Sequence, residues 1–110
     1  MKLKTFVKES GLIGFGWGNG YVCVPKGHPA YELDYDDVHS KFEISVNGGL
    51  TFSRHAKDID WDEIPADCKN CWILGFDTAH YGDTISRWPK SEVEREAQKL
   101  AEQLEKYSKK

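Results

Sequence analysis

The sequence predicts a single α+β domain, in which a mixed or antiparallel sheet of about four to six strands carries one long C-terminal helix on one face. Two observations support this fold class. Short apolar or alternating runs, separated by glycine- and proline-containing turns, fill most of the first 88 residues, and a helical repeat of apolar residues follows them. The 110 residues suit one domain, with the sheet over about residues 5–88 and the helix over about residues 91–109.

Residue periodicity predicts the central strands. Residues 21–24 and 72–76 are short runs rich in β-branched and aromatic residues, which is typical of buried strands. Residues 41–47 alternate between polar and apolar side chains, as a half-buried strand does. The following Asn-Gly-Gly, residues 47–49, predicts a tight hairpin turn that returns the chain as a partner strand over residues 50–52.

Two further segments are less regular. Residues 4–7 are interpreted as either a short first strand or an irregular arm, and residues 58–70 as an acidic surface loop with a short helical turn near residues 61–64. Residues 14–20 carry glycine at every second position. If this segment is extended, its bare glycine face allows close approach of a backbone, a ring or a ligand. The alternative is a flexible loop.

The C-terminal segment predicts a helix with one apolar face. Ser91 and Glu94 have the spacing of a capping box, in which each side chain bonds a backbone N–H at the helix start. The apolar residues recur at alternating four- and three-residue steps and are Val93, Ala97, Leu100, Leu104 and Tyr107. We therefore expect this stripe to pack on the sheet.

Composition limits the classes of function. A formal charge of −3 and a pI near 5.8 argue against general nucleic-acid binding, which requires a basic surface. The sequence contains neither an apolar run long enough to span a bilayer nor a signal-peptide pattern, so we expect no membrane partner. Three cysteines, an odd number, fit a reducing compartment, and the cytoplasm is the expected location.

The loop after residues 72–76 is the first candidate site. Asp77, His80 and Asp83 follow an apolar strand at three-residue intervals, where sites are commonly built. With His28 as acid or base, they could serve a metal-dependent hydrolase. Aspartates in loops more often bond their own backbone, so the structural alternative is favoured. In that case His80 and Tyr81 are expected to point outward as a binding rim.

The cysteines form a second candidate. Cys68 and Cys71 are a Cys-x-x-Cys pair, to which Cys23 and a histidine could add zinc ligands. A redox pair of this kind normally opens a helix, whereas this pair precedes a predicted strand. We expect reduced thiols without metal and no cofactor.

Aromatic and cationic side chains offer a third candidate. A nucleotide site needs rings that stack on a base and cations that hold phosphate. The residues available for it are Trp17, Tyr21, Arg54, His80, Tyr81 and Arg87. The alternative is that the rings are core residues and the cations a solvated rim.

Three segments together resemble a family of small proteins from tailed phages and prophages. They are Gly20-Tyr21-Val22 with Val24-Pro25 and Gly27-His28-Pro29, then Gly48-Gly49-Leu50-Thr51-Phe52-Ser53, then Trp72 with Gly75-Phe76-Asp77 and Ala79-His80-Tyr81-Gly82-Asp83. Such proteins often carry histidine before the Gly-Gly pair, where this chain has Asn47. This position is therefore not expected to supply an essential base or metal ligand. The resemblance bears on origin more than on chemistry.

The expected function is a phage accessory protein that acts as a non-catalytic binding module. The resemblance implies a role against host defences, either by sequestering a small nucleotide-type signal or by binding a host protein. A metal-dependent hydrolase using Asp77, His80 and Asp83 is one alternative, and a phage structural or assembly component is another. A homo-oligomer is compatible with each of these expectations.

Overall fold

A computed structural model describes residues 2–108, which form a four-stranded antiparallel sheet with a long C-terminal helix on one face. The strand order is β1-β2-β4-β3. The elements are β1 (Thr5–Glu9), β2 (Gly18–Val24), α1 (Tyr35–Lys41), β3 (Phe52–His55), β4 (Trp72–Phe76) and α2 (Lys90–Glu105). The predicted α+β class and the helix-covered sheet are therefore confirmed.

The helix face of the sheet holds the main core. Within α2, Val93, Ala97, Leu100 and Leu104 are fully buried, which confirms the predicted stripe up to Leu104. They pack in one cluster with β-strand residues that include Val22, Val24, Leu74 and Phe76. Burying an aliphatic or aromatic side chain of this kind contributes about 1.5–3 kcal/mol, so α2 is a main source of the stability of the sheet.

The glycine repeat is half turn and half strand. Gly18 and Gly20 belong to β2, whereas Gly14 lies in the preceding turn with a φ of +89°. The bare face at Gly20 receives the ring of Phe76 and the methyl group of Ala97, so that a Cβ there would collide with the ring. The glycine face therefore serves close packing of the helix and the neighbouring strand.

Residues 41–47 are not a strand of the sheet, and the prediction of a hairpin between them and residues 50–52 is wrong. Lys41 ends α1, and the chain then runs extended along α2. The predicted alternation is present, because Phe42, Ile44 and Val46 all pack against the main core.

Side chains of α2 replace the missing partner strand. The carboxamide of Gln103 accepts from the N–H of Ser45 at 2.7 Å and donates to the Ser45 carbonyl at 2.8 Å. The N–H of Glu43 donates to the hydroxyl of Tyr107 at 3.1 Å. Because α2 and Tyr107, two residues beyond its end, bond these backbone groups, the segment needs no β-ladder.

The capping box is also absent. Pro89 precedes the helix, Ser91 already lies within it, and no side chain caps its start. Instead, the N–H groups of Glu92 and Val93 donate to the carbonyl of Pro89. The predicted helix extends four or five residues beyond the observed end at Glu105, and its last positions lie outside the described residues.

The second face of the sheet carries an aromatic cluster under a loop. Phe6 stacks on Tyr21 with ring centroids 4.9 Å apart, and Trp61 packs on both Tyr21 and Phe52. Trp61 belongs to residues 56–71, which we call the lid. The predicted turn over residues 61–64 is present as a bond from the Ile64 N–H to the Trp61 carbonyl, and the 3-10 turns of the lid flank it at Ala56–Asp58 and Ala66–Cys68.

We expect Leu100→Asp to destabilise the protein by about 2–5 kcal/mol, because it removes a buried apolar side chain and places an unpaired charge in the core. Leu100 is fully buried. Lys99→Asp, at an exposed neighbouring position, is the matched control and should lose less than about 1 kcal/mol. Urea unfolding of both variants measures the difference. Equal midpoints for the two variants would contradict the packing of α2.

Candidate functional site

Three connecting segments meet at the end of the sheet where β1 and β4 finish. We call this surface the loop end; it comprises residues 10–17, 47–51 and 77–89. The N–H of Gly16 donates to the Thr78 carbonyl, and that of Trp17 donates to the Trp88 carbonyl, both at 2.8 Å. The buried Thr78 hydroxyl donates to the Gly18 carbonyl at 2.6 Å. These bonds fix the first and third segments against each other.

The carboxylate of Asp83 is the centre of a hydrogen-bond network in the loop end. One of its oxygens, Oδ2, accepts from the N–H and from Nδ1 of His80, each at 3.0 Å, and from Nδ2 of Asn47 at 3.1 Å. The N–H of Asp83 in turn donates to the His80 carbonyl at 2.9 Å. Asp83 therefore closes its own loop and ties it to the residue before the Gly-Gly pair.

Asp77 adds a second set of bonds. Its Oδ1 accepts from the Ala79 N–H at 3.0 Å and lies 3.3 Å from Nδ1 of His80, while its Oδ2 accepts from the Thr51 hydroxyl at 3.1 Å. The loop aspartates thus bond backbone and neighbouring side chains, as the structural alternative predicted. The ring of His80 lies directly against Gly48, where a Cβ would overlap it.

The prediction that His80 points freely outward is wrong, whereas Tyr81 is fully exposed as predicted. His80 is drawn inward because two carboxylates hold its Nδ1. In the neutral ring this leaves Nε2 as the acceptor, with no hydrogen-bond partner among residues 2–108. An aspartate–histidine pair of this form can accept a proton at Nε2.

The network stabilises the ionised form of Asp83. Burial alone would raise the pKa of this carboxyl, but the hydrogen bonds from His80 and Asn47 outweigh burial and hold the pKa below its ordinary value. A depressed carboxyl pKa contributes stability that is present above the unfolded pKa of about 3.9 and is lost as the pH falls through the lower, folded pKa.

His28 does not join this site. It is buried; its Nδ1 accepts from the Ala30 N–H at 3.0 Å, so Nε2 carries the hydrogen and donates to the Leu104 carbonyl at 2.8 Å. Leu104 lies eight residues along α2 from Glu96, which bonds the N–H of Asn47, and this separation corresponds to about 12 Å of helix. His28 is a fully bonded structural histidine that fastens a loop to the end of α2.

The predicted nucleotide residues are distributed over different parts of the protein. Tyr21 is buried in the aromatic cluster, and the guanidinium of Arg54 lies 5.9 Å from the Phe52 ring on that same face. Trp17 packs against the opposite, helix-side core. His80, Tyr81 and Arg87 belong to the loop end. The structure therefore does not gather the six residues into one pocket.

The cysteines are all free and line one cavity of about 160 Å³ between the lid and β2. Burial, together with the neighbouring thiols, raises the pKa of Cys23, and burial raises that of Cys71 to about 11. Thiols in this state are protonated at neutral pH and are weak nucleophiles. Within residues 2–108, no group of three His, Cys, Asp or Glu side chains is arranged to hold a metal ion.

The loop end has one feature that the sequence analysis missed. Of the six large apolar side chains that are exposed among the described residues, five belong to it: Leu12, Ile13, Phe15, Tyr81 and Ile85. The only other one is Tyr35, in α1. A signal was present, because residues 10–25 contain no charged side chain in a chain that is 30% charged. The alternating glycines of residues 14–20 instead led to the interpretation of this segment as a glycine face or a flexible loop.

Comparisons of the chain with protein-family models, with curated proteins and with solved structures gave no match. Among residues 2–108, none of the helices combines the length and apolar character required to cross a bilayer.

We expect Asp83→Asn to destabilise the protein more at pH 6 than at pH 3. The parent loses the contribution of the ionised Asp83 on acidification, whereas the variant never has it. The difference between the melting temperatures of parent and variant should therefore shrink as the pH falls below about 4. Asp60→Asn, an exposed loop position outside the Asp83 network, is the control and should change the melting temperature little at either pH. A gap for Asp83→Asn that widens in acid would contradict the assignment.

Proposed function

We propose that this protein is a non-catalytic binding module that holds a protein partner with the loop end of its sheet. The observation that carries the proposal is the exposure of large apolar side chains on two joined loops, with Ile13 97% and Tyr81 105% exposed. Large exposed apolar side chains on neighbouring loops are characteristic of interaction surfaces, since a monomer gains nothing by leaving them in water.

The charge of the loop end supports a protein partner. The segment of the loop end from Ser10 to Trp17 is uncharged, Asp83 is buried within its own network and Asp77 is half-buried, so Arg87 is the one exposed charged side chain of the loop end. Interface centres are depleted of charge and enriched in aromatic residues, as this surface is in Phe15 and Tyr81.

The fixed geometry of the loops supports binding as well. Backbone bonds at Gly16 and Trp17 and the network around Asp83 hold both loops in place before a partner arrives. A surface ordered in advance loses little conformational entropy on association. The carboxylates of the network accept hydrogen bonds from within the loop end, which favours a supporting role for them over catalysis.

The resemblance to phage and prophage proteins suggests which kind of protein the partner is. Because its segments resemble a phage and prophage family, we expect a protein of the bacterial host, and interference with a host defence is the corresponding biological role. A nucleotide-type ligand is disfavoured by the burial of Tyr21 and by the separation of Trp17 from Arg54 on opposite faces of the sheet.

The double variant Ile13→Asp/Tyr81→Asp should lose the partner while its melting temperature stays within a few degrees of the parent, because both side chains are fully exposed. Tyr35→Asp is the matched control, an exposed aromatic residue outside the loop end. With each protein as bait in a bacterial lysate, a stoichiometric complex should form with the parent and with the Tyr35 variant only. A complex that survives the double variant would refute the proposed surface.

The same samples distinguish the remaining functions. Heating the purified protein and analysing the supernatant should release no cyclic dinucleotide, cyclic trinucleotide or ADP-ribose derivative. Release of an intact nucleotide would replace the proposal with nucleotide sequestration. Divalent-dependent cleavage of added nucleotide would replace it with the hydrolase.

A further inference from the structure

Strand β1 presents unpaired backbone groups along one edge of the sheet. Its ladder with β2 is antiparallel, and the Cys23 N–H donates to the Lys4 carbonyl just as the Ser10 N–H donates to the Trp17 carbonyl. Residues bonded to β2 alternate along the strand, so the even positions face inward and Thr5, Val7 and Glu9 direct their N–H and carbonyl groups outward. None of these outward groups has a partner among the described residues.

The two edge strands of the sheet have different neighbours. Beside β3, the chain entering α1 contacts side chains of the strand: Glu32 lies 2.8 Å from the His55 ring, and the N–H of Tyr35, the first residue of α1, donates to the Ser53 hydroxyl. Beside β1, the outward N–H of Leu3 donates to the Glu105 carboxylate at 2.9 Å. Because the Leu3 N–H is bonded in this way, the unpaired part of the edge begins at Thr5.

The lysines of β1 do not block this edge against pairing with another strand. Lysine side chains on edge strands commonly prevent pairing with another sheet. Here Lys4 lies 3.0 Å from Asp67 and Lys8 lies 3.5 Å from Glu63, so both ammonium groups are directed onto the lid of their own chain. Lys8 also lies over the ring of Trp61, at 5.5 Å from its centroid.

We propose that β1 pairs antiparallel with β1 of a second copy of this chain, about a two-fold axis at Val7. This register places Thr5 opposite Glu9 of the second copy and Val7 opposite Val7 of the second copy. All the residues so paired are the outward-directed ones, so each pair exchanges two backbone hydrogen bonds.

Side chains are complementary in this register. The Thr5 hydroxyl faces a carboxylate that can accept its hydrogen, and two β-branched Val7 side chains meet at the axis. On the other face Phe6 lies opposite Lys8, so that no two like charges oppose each other directly. A peptide of arbitrary sequence would lack this match.

The dimer would extend the function proposed above without depending on it. Joining two β1 strands gives one eight-stranded sheet in which the two copies run in opposite directions. The two loop ends then lie at opposite ends of that sheet. Such a molecule is bivalent and gains affinity for a partner that is itself repeated.

Sedimentation equilibrium of the full chain tests the proposal, with dimer expected to accumulate from micromolar to millimolar concentration. Thr5→Glu should weaken dimerisation about tenfold and Thr5→Lys should strengthen it by a similar factor, because the pair with Glu9 occurs twice in each dimer. Adding Glu9→Lys to the Thr5→Glu variant should restore the parent affinity. Thermal melts of each variant verify that the monomer is folded.

Ser86→Glu, an exposed position in the loop end, is the control for net charge and should leave dimerisation unchanged. A parent chain that stays monomeric at millimolar concentration overturns the proposal. So does a dimer whose affinity responds equally to Thr5→Glu and Thr5→Lys, or one that is lost on Ser86→Glu. Each of these results leaves the lysate experiment on the loop end unaffected.

Discussion

The packing of α2 on the sheet is the interaction on which the rest of the structure depends. Its apolar stripe closes the main core, and its polar side chains then serve the chain around it: Glu96 accepts from Asn47, Gln103 pairs with Ser45, and Glu105 accepts from Leu3. The backbone carbonyl of Leu104, in the last turn of α2, also accepts a hydrogen bond, from Nε2 of His28. One helix therefore provides both the apolar burial and many of the hydrogen bonds that irregular segments would otherwise lack.

This arrangement explains how a short sheet supports a rigid loop end. Glu96 positions Asn47, the Asn47 carboxamide bonds Asp83, and Asp83 closes the loop that carries Tyr81. Each of these bonds has a carboxylate as its acceptor, and hydrogen bonds to an ionised acceptor are stronger than those between neutral groups. Asn47 is thus a structural link between helix and loop.

The sequence allowed the fold class, both central strands and the helix stripe to be predicted, because periodicity reports which side of an element is buried. It did not allow the partner of residues 42–46 to be predicted. Their alternation is real, but alternation cannot distinguish a neighbouring strand from the polar side chains of a helix. The prediction of a hairpin at residues 47–49 is wrong for this reason, although Gly48 and Gly49 do adopt the positive φ of a turn.

Part of the structure of the candidate site could also be predicted from the sequence. The local bonding of Asp77 and Asp83 was predicted, because aspartates in loops commonly bond nearby backbone groups. The inward orientation of His80 depends on Gly48 and Asp83 together, and the burial of Tyr21 depends on the lid, so both require three-dimensional information. The exposure of Ile13 could not be read from residue type, since isoleucine is among the most often buried residues.

The distribution of charge links these observations. The lid carries five exposed carboxylates, on Asp58, Asp60, Asp62, Glu63 and Asp67, whereas the two carboxylates of the loop end are half-buried in Asp77 and buried in Asp83. The lid closes the connection between β3 and β4 at the opposite end of those strands from the loop end. Two of the lid carboxylates, on Glu63 and Asp67, are paired with the lysines of β1, so the lid and the first strand are tied together by charge. The loop end and the open edge of β1 lie at an end and at a side of the sheet, so the two proposed contacts use different residues.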